Sequence, residues 1–137
     1  MHRFILGFSL MLGSLSLLAQ ENDVTPEWLQ GVWEGTGYQI DGQTWEIILE
    51  AEKGEEVVIR YPDLGCSGYW ILEQPGRTKL HFKEQIVSGL GVCDQGGDVF
   101  VKKINKNKLR LTYYLYSYSQ DPIAKAVIKR MPDSTSK

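Results

Sequence analysis

From Gly31 onward, apolar and polar side chains alternate with a period of two, the repeat of a strand with one face buried. The clearest case runs from Gln43 to Glu52, where Trp45, Ile47, Leu49 and Ala51 share one face and Glu46, Ile48 and Glu50 the other. The same reading predicts strands from Gly31 to Ile40, Glu55 to Tyr61 and Cys66 to Glu73. It continues with Arg77 to Val87, Asp98 to Ile104, Leu109 to Tyr118 and Ile123 to Met131. Between them stand turn formers: Asp41-Gly42, Lys53-Gly54, Pro62 to Gly65, Pro75-Gly76, Asn105 to Asn107 and Asp121-Pro122. The longest connection is the Gly-rich segment Ser88 to Gly97. Eight short strands on hairpin-length connections predict an all-β, antiparallel, up-and-down β-barrel, the strand number at which a small sheet closes and loses its edges. A two-sheet sandwich is the alternative, and it calls for longer crossovers.

Ahead of the first strand, Thr25-Pro26-Glu27 supplies an N-cap, a proline at the first helical position and an acid in the first turn, predicting one short helical turn ending near Gln30. Residues 1–19 have the order of a secretory signal peptide: Arg3, an apolar run from Phe4 to Leu12 continued by Leu15, Leu17 and Leu18, then a small exit residue, Ala19. The run is shorter than the roughly 20 apolar residues of a membrane-spanning helix. The predicted organisation is a signal peptide at 1–19, an N-terminal segment at 20–30, a barrel domain at 31–131 and a polar tail at 132–137, in a secreted or periplasmic protein without membrane insertion after cleavage.

The chain carries 15 Lys and Arg against 17 Asp and Glu, a formal charge of −2, and loss of Arg3 with the leader takes the balance to −3. Basic residues are scattered apart from the turn Lys102 to Lys108, so the basic face that a nucleic-acid binder needs is missing. Both cysteines, Cys66 and Cys93, follow the leader, and in an oxidising compartment they leave one pairing.

Two features at opposite ends of the chain resemble the lipocalin-like, or calycin, barrels. Gly31-Val32-Trp33 after the short helical turn resembles their Gly-x-Trp signature, and Arg130 resembles the arginine that packs over that Trp and closes the barrel. A second pattern is similar to a small secreted bacterial domain: Tyr61-Pro62-x-Leu64-x-Cys66-x-Gly68-x-Trp70 and Phe82-x-Glu84-x-Ile86-x-x-Gly89-x-x-x-Cys93. That resemblance implies no activity.

Nucleophilic chemistry needs a base within hydrogen-bond reach of the nucleophile. Beyond the leader the one histidine, His81, alternates out of phase with Leu80 and Phe82, which predicts a solvated outer position beside Lys79 and Lys83. No CxxC or HxxxH spacing suggests zinc, so neither an enzyme nor a metal or other cofactor is expected. Asp63 and Asp94 read as turn formers. Glu84 shares the inner phase of Leu80, Phe82 and Ile86. A carboxylate there is either paired with Arg60, Arg130 or a tyrosine hydroxyl, or serves as the polar anchor of a pocket. The expectation is a binding protein that holds a small apolar or amphipathic ligand at the barrel mouth, lined by Trp45, Tyr61, Tyr69 and Phe82 with Glu84 as polar contact. Tyr114, Tyr116 and Tyr118 form a candidate outer stripe for a second role, seating a protein of the cell envelope, for example as an inhibitor of a lysozyme-type hydrolase.

Overall fold

Alternation places one side chain in two toward a common interior, and a sheet with a buried face is satisfied by closing on itself. The computed structural model, which describes residues 25–132, does this with eight strands. They are β1 (Gly31–Gln39), β2 (Thr44–Ala51), β3 (Val57–Tyr61), β4 (Cys66–Gln74), β5 (Lys79–Ser88), β6 (Asp98–Asn105), β7 (Lys108–Tyr114) and β8 (Ala124–Arg130). Each pairs antiparallel with the next, and β8 returns to β1 with Arg130 opposite Trp33 and Ala124 opposite Gln39. This closure excludes the sandwich. The predicted signal peptide at 1–19, residues 20–24 and residues 133–137 lie outside the described residues.

The up-and-down order gathers the connections at two ends. One end carries the connections after β2, β4 and β6, together with a 3-10 turn at Glu27–Leu29. There Leu29 is buried, Trp33 donates its indole N–H to the Leu29 carbonyl at 2.8 Å, and the Arg130 guanidinium lies 4.2 Å from the centre of the Trp33 ring. Arg130 also donates to the carbonyls of Gln30, Trp28 (3.1 Å) and Lys106 (3.2 Å), so one planar cation ties both chain ends and a hairpin together. Gly31 makes that approach sterically feasible: its φ is 130°, and a Cβ there would meet Arg130 Nη1 at 2.6 Å. Above this closure the interior is filled by Leu49, Ile59, Phe82, Val101, Leu111 and Ile128, all 1 % exposed or less.

Three expectations are corrected. The strand predicted from Leu109 to Tyr118 ends at Tyr114, because the Leu115 carbonyl accepts from both Tyr118 N (2.8 Å) and Ser119 N (3.0 Å) and the backbone turns. Tyr114, Tyr116 and Tyr118 therefore do not form a strand stripe: Tyr116 folds back to stack on Tyr114, with centroids 5.2 Å apart, and Tyr118 stands exposed in the turn. The strand predicted from Glu55 starts at Val57, since Glu55 N closes a turn on the Glu52 carbonyl at 3.1 Å. Finally, His81 is on the outer face but is only partly solvated. Its ring stacks on Phe100 at 4.3 Å, and its Nε2 lies 2.7 Å from Asp98 Oδ1, while Lys83 holds Oδ2 at 3.2 Å.

Candidate binding site

The opposite end of the barrel, where the connections after β1, β3, β5 and β7 meet, is open. Here the interior narrows to a cavity of about 300 Å³. Its walls are Trp45 from β2, Tyr61 from β3 and Tyr113 from β7; Glu84 of β5 lies at its base, and Cys93 and Asp94 form part of the rim. Two larger hollows, about 370 and 570 Å³, lie along the outside of β1, lined by charged residues such as Glu34, Lys125 and Lys129; they are surface grooves, with Tyr38 of the larger one the single aromatic residue in their walls.

Trp45 meets each of the other two aromatic walls edge to face. Trp45 is 6.4 Å from Tyr61 at 76° and 6.1 Å from Tyr113 at 68°, the arrangement that π quadrupoles favour. Trp45 lies across β1 over Gly37, where a Cβ would come within 2.6 Å of the indole. The inner position of Gly37 is thus a slot for the ring. Sequence alternation alone gives no sign of it, since glycine carries no apolar signal.

Glu84 is buried, and its Oε2 accepts hydrogen bonds from the Tyr61 hydroxyl and from Trp70 Nε1 at 2.9 Å. Tyr61 in turn lies 3.0 Å from the Tyr113 hydroxyl. A phenol has one proton. With Tyr61's given to Glu84, the Tyr113 hydroxyl donates to Tyr61, forming a chain Tyr113 to Tyr61 to Glu84. Among the described residues Glu84 Oε1 has no partner. Burial raises the Glu84 carboxyl above the ordinary range; the hydrogen bonds from Tyr61 and Trp70 pull it back, and Asp94 pushes the same way as burial. Burial, reinforced by the Glu84 charge, holds both Tyr61 and Tyr113 well above ordinary phenols, so both stay protonated.

One rim of the cup is a stapled loop. The connection between β5 and β6 is joined to β4 by the Cys66–Cys93 disulfide, spanning 27 positions. The Gln95 side chain substitutes for a missing strand, accepting from Ile86 N at 3.0 Å and donating to the Ile86 carbonyl at 2.9 Å. Gly97 accepts from Glu84 N at 2.8 Å, so the same loop fixes the backbone of the residue at the cavity base.

Of the residues expected to line a ligand site, Trp45, Tyr61 and Glu84 come together. Phe82 points inward but lies outside the cup lining, packed against Trp70 at 5.4 Å. Tyr69 points outward, because β4 buries the phase Cys66, Gly68 and Trp70. The expected inner position is held by the glycine beside it, Gly68. Glu84 is partnered by a tyrosine hydroxyl; Arg60 instead lies outside, 3.3 Å from Glu50, and Arg130 is at the closed end. Tyr113 and Asp94 complete the cup and were not expected there. The alternation put Tyr113 inside with Leu109 and Leu111, but no local signal sets its height in the barrel. Among the described residues no group of three or more His, Cys, Asp and Glu is placed to hold a metal. Comparison with known protein families, curated proteins and solved structures found no match.

Proposed function

We propose that this chain is a secreted or periplasmic, non-enzymatic binding protein of lipocalin-like build that holds a small apolar or amphipathic ligand in the cup at its open end. One observation carries this reading: a cavity of about 300 Å³, at the lower bound of small-molecule sites, with aromatic walls and a single buried carboxylate at its base. The closed end, where Arg130 covers Trp33 above the 3-10 turn, supports the lipocalin-like reading. The disulfide fits an oxidising compartment. Binding is favoured over catalysis because both cysteines are bridged and His81 engages Asp98 on the outer face, away from the cup.

The exposed apolar side chains Ile40, Leu90, Val92 and Tyr118 near the mouth favour a second reading, in which this end meets an envelope protein such as a lysozyme-type hydrolase. Titration with 1-aminoanthracene, a neutral apolar fluorophore, together with native mass spectrometry of protein isolated from an exporting host, tests the first reading. Saturable one-site binding or a retained small molecule supports it. A protein that binds no dye and carries no small molecule overturns it in favour of the second.

A further inference from the structure

We propose that the cup selects a cationic ligand, a protonated amine or quaternary ammonium, over neutral molecules of the same shape. The inference rests on the cup being a ligand site and specifies the chemistry it accepts. Among the described residues, the charged side chains lining the cavity are Glu84 and Asp94, both acidic, with no Lys, Arg or His. The aromatic rings supply the second element. Trp45 stands steeply to both Tyr61 and Tyr113, and all three line the same cavity, so a cation held there lies among aromatic rings that can attract it.

The proton inventory supplies the third. With Glu84 ionised, above its raised titration range, the Tyr61 proton is committed to it and the Tyr113 proton to Tyr61, and the deep polar groups have only acceptor capacity left: Glu84 Oε1 and the Tyr113 oxygen. A ligand that brings donors or positive charge satisfies them. A carboxylate or phosphate would meet two acids and no counter-charge. The buried indole N–H of Trp70 is already spent on Glu84 Oε2 and offers an anion nothing. Rim amides at Gln39 and Gln43 lie outside this deep set and can bind either kind of group.

Calorimetric titration with choline and with its uncharged carbon isostere, 3,3-dimethyl-1-butanol, separates charge from shape. Choline is expected to bind at least about ten-fold more tightly. In Glu84→Gln, which keeps an acceptor for Tyr61, the choline preference is expected to fall toward one. Asp94→Asn, at an exposed rim position where folding is not at risk, is expected to weaken choline about two- to five-fold. Equal binding of the two probes, or a choline preference unchanged in both variants, overturns the cation inference and leaves the cup as an apolar site. Binding of neither probe overturns the inference; if 1-aminoanthracene also fails, the ligand-site reading falls with it.

Discussion

The Glu84 carboxylate accepts a hydrogen bond from the Tyr61 hydroxyl, although 23 positions separate them and they sit on strands that are not neighbours. The bond crosses the barrel interior and joins β3 to β5 beneath the mouth. Buried polar groups of this kind are costly to orphan. Tyr61→Phe keeps the ring against Trp45 but leaves Glu84 short of one donor, and Tyr113 without its acceptor. It is expected to destabilise the fold by about 1–3 kcal/mol in urea denaturation. A change below about 0.5 kcal/mol would mean that water replaces the hydroxyl at no cost.

The raised Glu84 carboxyl makes stability depend on pH. Because the folded protein holds this proton more tightly than the unfolded chain, the contribution is fully present below the ordinary Glu value of about 4.3 and is lost as pH rises through the raised folded value. Tyr61, Tyr113 and Asp94 face the same carboxyl, and the two phenols stay protonated across that window. Denaturation measured from pH 4 to pH 8 is expected to show stability falling with pH in the native protein and a flatter profile in Glu84→Gln. Identical slopes would assign the pH dependence to other groups.

Loss of the Cys66–Cys93 bridge frees a loop of 27 positions, which in the chain-entropy picture destabilises the fold by roughly 3 to 4 kcal/mol. The paired Ser variant is expected to lose that stability, and also its dye binding at temperatures where it remains folded, because Cys93 and Asp94 form part of the rim. Non-reducing peptide mapping of the native protein should recover the bridged peptides; two free thiols would refute the staple.

Gly37 tests the slot under Trp45. In Gly37→Ala the new methyl meets the indole, and either the ring swings into the cup or β1 shifts. The expected cost is about 1–3 kcal/mol, with altered near-ultraviolet circular dichroism and weakened binding of 1-aminoanthracene. Unchanged spectra and binding would show that the ring has room to spare.

Arg130→Lys keeps the charge but loses the fork that reaches several carbonyls over Trp33. Lys cannot reproduce that geometry, and a loss of about 1–3 kcal/mol is expected in thermal or urea unfolding. A stability equal to that of the native protein would reduce the closure to simple charge.

Alternation made most of the barrel legible. Trp45, Ile47 and Leu49 on β2, Val57, Ile59 and Tyr61 on β3, and Leu80, Phe82, Glu84 and Ile86 on β5 are all buried as their phase requires. It failed where side-chain size and position disagree. On β4 the inner residue is Gly68 and the large neighbour Tyr69 points out; on β1 glycine at position 37 makes room for a ring from another strand. The end of β7 was also illegible, because its aromatics continue the strand pattern while the Leu115 carbonyl turns the backbone. The cup itself depends on heights within the barrel, set by register between strands, and the sequence alone does not specify register.

The two described chain ends, the 3-10 turn before β1 and the residues after β8, leave the barrel together at the end closed by Arg130. A strand of eight residues, at about 3.3 Å per residue and tilted as in small barrels, puts roughly 20 Å between that end and the mouth. The molecule therefore has a built-in polarity. Joined by either end to a surface, a resin or another domain, it would project its cup outward into solution.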